Sequence, residues 1–271
     1  WTEAGGDKSV ESAEITSADT SHGEVWTLTV TPADDEEAGE AAEVSVSIGN
    51  TEPVVTSVSI TPETAYVDTE LSAVVAAEDE DGDALTYTYE WSVNGTVIVG
   101  QESDTLAGWF DKLDEVTVSV SAFDGYVHGE IETSDARIIS NTVPAFTGVA
   151  LDPTEIFEAT TVTCVSTGWA DVDGDPEGYV YSWLVGGQAL PLTSASIDGS
   201  QFDRGDTVSC SAQAYDGEEF GNTLESTSID VSNTAPVIAD VVLSPASPQE
   251  GDTIVLSIGS FTDDDGDSVT Y

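Results

Sequence analysis

The stretch Leu85-Thr86-Tyr87-Thr88-Tyr89-Glu90-Trp91-Ser92-Val93 places apolar side chains at odd positions and polar ones at even positions, and Asn94-Gly95 ends it. Successive side chains leave a β-strand on opposite sides, so a period of two marks a strand with one buried face. Asn-Gly is a two-residue hairpin signal, because both residues tolerate positive φ. The pattern returns as Tyr179, Tyr181, Trp183 and Val185, with Gly186-Gly187 at the turn. Val116, Val118, Val120 and Ala122 alternate in the same way with Thr117, Ser119 and Ser121. No segment carries a convincing helical period. The reading is all-β: an antiparallel two-sheet sandwich of about seven short strands per unit.

Other markers recur in step with these strands. The junctions Asn50-Thr51-Glu52-Pro53, Asn141-Thr142-Val143-Pro144 and Asn233-Thr234-Ala235-Pro236 are spaced by 91 and 92 residues. Acidic loops at Asp79-Glu80-Asp81-Gly82-Asp83, Asp171-Val172-Asp173-Gly174-Asp175 and Asp263-Asp264-Asp265-Gly266-Asp267 are each 92 apart. Trp1, Trp91 and Trp183 follow the same rhythm. Agreement of independent markers at one period identifies a repeat array. Two complete repeats span 50–140 and 141–232; residues 1–49 match the second half of a repeat and 233–271 the first half. Two arrangements fit: a window on a longer array, or a head-to-tail polymer in which 233–271 of one copy completes 1–49 of the next. The absence of Met favours a segment inside a longer, processed polypeptide.

The chain has 271 residues, with 53 Asp or Glu against 4 Lys or Arg and a formal charge of −49. Such a surface repels phosphate backbones and anionic lipid, which argues against nucleic acid and charged membranes as partners. No apolar run reaches the 18 residues that would suggest insertion into a bilayer. Hydrophobic content of 39% exceeds what disordered acidic tails carry, so the chain should fold. Catalysis is not indicated: there is no phosphate loop, zinc spacing or nucleophile elbow. His22 aligns with Leu113 and Gly205, and His128 with Ala38 and Phe220, which reads as two surface histidines. Trp109 and Trp169 offer rings for a sugar, or caps for the core.

The acidic loops carry the chemistry. Three carboxylates alternating over five residues, with a glycine that lets the chain bend, aim several oxygens at one point. Hard oxygen ligands of high charge select calcium. Without a cation the clustered charges would have to protonate in part or splay apart. In an immunoglobulin-like sandwich the loops after the second and sixth strands share a pole, so Asp79, Asp81, Asp83 and Asp124 should converge near Pro53. Asp171, Asp173, Asp175 and Asp216 should converge near Pro144, and Asp263, Asp265 and Asp267 form the same loop in the last half-repeat. The competing reading is that Asp and Gly are simply good turn formers.

The string of Asn-Thr-x-Pro, Asp-x-Asp-Gly-Asp, Tyr181-Ser182-Trp183 and Ala214-Tyr215-Asp216-Gly217 resembles the tandem immunoglobulin-like and cadherin-like repeats of large bacterial surface proteins. That resemblance implies an extracellular or cell-surface stalk or fibre, not an enzyme, often in adhesins and often rigidified by calcium between neighbouring repeats of the same or an adjacent chain. It also admits an accessory array beside a secreted enzyme, with a polysaccharide or other surface glycan as ligand. Cys164 on the second strand and Cys210 on the sixth, with Trp183 on the third, resemble the immunoglobulin cross-sheet bridge; two buried free thiols are the alternative. The preceding repeat holds Ser72 and Val118 at the matching positions.

Overall fold

The computed structural model describes residues 1–4, 9–268 and 270. The chain divides into two compact units, Trp1–Ser140 and Asn141–Tyr271. Strands joined by turns make up both, and none of the described residues is helical.

Within the first unit, the strands from Val54 to Ile138 form a sandwich. One sheet orders the strands Val54–Thr61, Leu71–Glu78 and Thr105–Leu106. The other places Glu115–Phe123 beside Thr86–Val93, flanked by Glu132–Thr133, Arg137–Ile138 and Thr96–Val97. The alternation in the opening stretch explains the layering. Trp91 pairs with Val118 and Val93 with Val116, placing these side chains on one face. That face meets Ile60, Leu71 and Leu106 of the smaller sheet in a single core, in which Trp91, Val116, Val118 and Val120 are fully buried. Asn94 and Gly95 have φ of 50° and 73°, as the hairpin reading requires.

In the second unit, the strands from Gly148 to Asp230 repeat the plan. Gly148–Asp152, Val162–Thr167 and Ser196–Ile197 make the smaller sheet, while Tyr179–Val185 and Thr207–Tyr215 are central in the larger one. Cys164 and Cys210, one from each sheet, form a disulfide beside Trp183 in the core. The indole N–H groups of Trp91 and Trp183 donate to the carbonyls of Ser103 and Ser194 at 2.8 and 2.9 Å.

Strand register corrects one alignment. Leu71 pairs with Leu106 as Val162 pairs with Ile197, so Cys164 corresponds to Ala73 and not to Ser72. Ala73 packs against the core of its repeat, as a residue replacing a buried cysteine must. The offset between repeats is 91 up to this strand and 92 from the acidic loop onward; the extra residue lies between Cys164 and Asp171.

The first and last strands form separate small sheets. Thr2–Glu3, Val25–Val30 and Ala42–Ser47 form one three-stranded sheet. In the last segment Val241–Ser244 pairs with Val255–Ile258, and Val237–Ile238 with Phe261–Thr262.

Candidate metal centre and linker clamp

Asp79, Asp81 and Asp83 each bring a ligand oxygen within 4.8 Å of the others, and the triads Asp171, Asp173, Asp175 and Asp263, Asp265, Asp267 do the same. A glycine in the left-handed region folds each loop back on itself, with φ of 79° at Gly82, 77° at Gly174 and 73° at Gly266. The first aspartate then organises the turn. Asp79 Oδ1 accepts the Asp83 N–H at 3.0 Å. Asp171 Oδ1 accepts from Asp173 and Asp175 at 2.9 and 3.2 Å, and Asp263 Oδ1 from Asp265 and Asp267 at 3.1 and 3.2 Å. Asp79 Oδ2, Asp83 Oδ2, Asp171 Oδ2 and Asp265 Oδ1 are nevertheless buried without a hydrogen bond. Buried carboxylate oxygens ordinarily find donors; Asp83 Oδ2 has only the His22 ring, at 3.7 Å, nearby, and the other three oxygens have room for a further partner.

The middle aspartate has a second task. Asp81 Oδ2 accepts the backbone N–H of Thr51 at 2.6 Å, and Asp173 and Asp265 accept those of Thr142 and Thr234, both at 2.5 Å. The junction threonine is therefore hydrogen-bonded to the acidic loop in all three copies.

Asp124 and Asp216 reach the same junctions as the triads, through other donors. Asp124 Oδ1 accepts the N–H groups of Tyr126 and Val127 at 2.7 Å, and its Oδ2 accepts Asn50 Nδ2 at 2.8 Å. Asp216 is held alike by Glu218, Glu219 and Asn141, at 2.7, 2.7 and 3.0 Å. Burial pushes both carboxyls up, but the asparagine amide and the two backbone donors outweigh it and keep them below the ordinary carboxylate range. These residues tie the Asn-Thr junction to the loop after the sixth strand. Asn50 and Asn141 were the functional side chains missed in the sequence. Their signal was the recurring Asn-Thr-x-Pro, read there only as a boundary.

The same place needs glycine. A Cβ on Gly129 would lie 1.9 Å from the Pro53 carbonyl oxygen, and one on Gly221 1.8 Å from that of Pro144. Only a bare backbone approaches the junction so closely.

His22 is not a free surface histidine. Its Nδ1 lies 3.7 Å from Asp83 Oδ2, and its ring meets Tyr126 edge-on at 4.3 Å. Backbone bonds fix its true equivalents: the N–H groups of Gly23, Leu113 and Gly205 donate to Ile48, Ile139 and Val231 in turn. His22 therefore aligns with Lys112 and Arg204, one residue from the sequence assignment. A base stands at this position in every copy, and Arg204 Nη1 bonds both Asp267 and Asn233 Oδ1 of the following half-repeat. His128 stacks on Phe123 as Phe220 stacks on Tyr215, a packing role. Trp169 is turned edge-on to Tyr179, whereas Trp109 is 52% exposed. No helix among the described residues is long and apolar enough to cross a membrane.

No protein-family profile matches the chain, and no curated protein does. Solved structures match at low identity. The FN1–FN3 domains of chicken CNTN1 are 11% identical, with 79% of this chain and 78% of that chain covered and a TM-score of 0.29. For Sidekick-1 immunoglobulin domains 1–5 the values are 14%, 84%, 50% and 0.37. For a Ca2+-stabilized adhesin that helps an Antarctic bacterium reach out and bind ice they are 18%, 82%, 60% and 0.28. The chain thus spans half to three-fifths of the latter two. At such scores these matches add nothing to what the strands themselves establish.

Proposed function

We propose that this chain is a spacer segment of an extracellular or cell-surface adhesin or fibre. Its repeats, divided at about residues 50, 141 and 233, take calcium at their acidic loops. The observation that carries the reading is the recurrence, three times, of three carboxylate oxygens within 4.8 Å of one another, with buried oxygens in every loop that no protein donor reaches. Oxygen-only sites of this charge suit a hard divalent cation.

The linker clamp gives calcium a mechanical consequence. The middle aspartate holds the junction threonine with one oxygen, so an ion fixing its other oxygen would also fix the linker. The acidic loop, the junction and the loop after the sixth strand would then stiffen together. Nothing comparable supports polysaccharide binding: of the two tryptophans considered for it, Trp109 is exposed but Trp169 is turned edge-on to Tyr179.

The test is calorimetric titration of the whole chain with calcium at constant ionic strength. Saturable binding is expected, at roughly 0.1–1 mM by analogy with extracellular calcium modules. Asp79→Asn, Asp171→Asn and Asp263→Asn should each remove one site. Binding no stronger than that of magnesium, and unaltered by these substitutions, would leave the loops as turns.

A further inference from the structure

The strand Thr86–Val93 leaves one of its two edges open over its first half. Antiparallel partners alternate between pairs that exchange hydrogen bonds and pairs whose backbone groups point away from each other. Val118 and Ala122 stand opposite Trp91 and Tyr87, and their carbonyls accept from Ser134 and Gly129 on the far side of their own strand. Trp91, Tyr89 and Tyr87 therefore turn their N–H and carbonyl groups to the opposite edge, where the Ile98 N–H donates to the Trp91 carbonyl at 2.8 Å. The flanking strand Thr96–Val97 pairs only with Val93 and Ser92. Among the described residues no backbone group is hydrogen-bonded to this side of Tyr87 and Tyr89, so each offers a donor and an acceptor to a further strand.

A groove follows the open edge. About 580 Å³ lies against residues 87–90 and the segment 97–102, which leaves the sheet there. Ile98 packs on the core, so Val99 beside it points outward and is 90% exposed. Ile131, also exposed, lines the same groove. Its charged groups are Glu90 and Glu102, and among the described residues neither Lys nor Arg lines it. A strand laid along this edge would send alternate side chains to opposite faces. One row would lie beside the rings of Tyr87 and Tyr89 and suits apolar groups. The other would lie on the Glu90 face, where a lysine or arginine could rest its stem on Val99 and bring its charge to Glu90 and Glu102. A second copy of this chain fits poorly, because it brings the same carboxylates and a charge of −49 to the contact. In the matching strand Tyr179–Val185, Ser182 takes the place of Glu90, so that strand lacks this charge.

We propose that the Tyr87–Tyr89 edge receives an extended peptide of another protein by strand addition, one carrying lysine or arginine at alternate positions. Main-chain bonds at the two tyrosines hold it, and Glu90 and Glu102 select its charge. This goes beyond the spacer reading and needs no calcium.

Fluorescence anisotropy of the whole chain with a labelled peptide of alternating lysine and valine, at physiological ionic strength with chelator present, tests it. Saturable binding of one peptide per chain is expected. The same peptide N-methylated throughout has equal charge but no backbone donors, and should bind about tenfold more weakly, the worth of one or two hydrogen bonds. Tyr87→Pro removes a free N–H without touching the ladder to the strand Glu115–Phe123, and should weaken binding by a similar factor. Tyr87→Ala, which keeps that N–H, should bind more tightly than Tyr87→Pro. Glu90→Lys places like charges together and should also cost about tenfold. Equal binding of the N-methylated peptide, equal binding by Tyr87→Pro and Tyr87→Ala, or no saturable binding would each overturn the proposal. Should Tyr87→Pro lose the wild-type tryptophan emission, the N-methylated peptide and Glu90→Lys decide without it. Self-association of the chain that the peptide displaces would make a second copy the occupant and overturn the proposal too.

Discussion

Asp216 is a buried carboxylate kept charged by three donors, one of which is the amide of Asn141. Its folded pKa lies below the ordinary value, despite burial, because those donors favour the anion. The resulting stability is complete above the unfolded carboxyl value, about 3.9, and is lost as pH falls through the lower folded value. Asn141→Ala removes the side-chain donor and raises that folded value. Acid unfolding, followed by tryptophan fluorescence, should then begin at a higher pH than in the wild type; coincident curves would show that the amide does not hold the charge. Gly221 tests the same junction sterically. Gly221→Ala puts a methyl against the backbone of Pro144, which has no flexible side chain to yield, and should cost about 1–3 kcal/mol in chemical denaturation. Arg204 probes the other side of the loop. It occupies Asp267, so Arg204→Ala should tighten calcium at the 263–267 loop, seen as a lower half-saturation in terbium luminescence, while the other loops are unchanged.

At the scale of strands and loops, the disulfide is the sharpest difference between the two complete repeats. It closes 46 residues of sequence separation, worth about 4 kcal/mol on the chain-entropy account. Replacing both Cys164 and Cys210 with alanine should lower the calorimetric transition of the second unit and leave that of the first in place; a shift of both would mean that the units melt together. The bridge was legible through the resemblance of Cys164, Trp183 and Cys210 to the immunoglobulin arrangement. The hairpin at Asn94-Gly95, the paired sheets and the aspartate triads were legible because period-two alternation and local turns are written in consecutive residues. The division of labour among the aspartates was not. Whether Asp124 faces an ion or an amide depends on where Asn50 lies, and only the folded chain brings together residues so far apart in sequence. His22 was misread through one residue of slippage in the repeat offset, which hid the base it shares with Lys112 and Arg204.

For the whole molecule, charge decides the conditions under which these contacts persist. Only four cationic residues oppose 53 acidic ones; among them Arg204 is bound to Asp267, and Arg137 to the carbonyls of Glu63 and Ile60. The remaining negative charge repels itself across the surface and lowers stability in dilute buffer. Sodium chloride relieves this generally, since the screening length falls to about 8 Å at 0.15 M, and should raise the melting temperature gradually without saturation. Calcium acts differently if the triads bind it. At fixed ionic strength it stabilises by mass action, about 1.4 kcal/mol per site at a tenfold excess over Kd, and the gain levels off once the sites fill. Differential scanning calorimetry across both titrations separates the two effects. A saturable rise with calcium, absent with magnesium and removed by Asp79→Asn, Asp171→Asn and Asp263→Asn together, is the expected result. Sodium reaching the same plateau as calcium would mean that the triads respond to screening alone, and the junction would then owe its rigidity to asparagine and threonine hydrogen bonds without a metal.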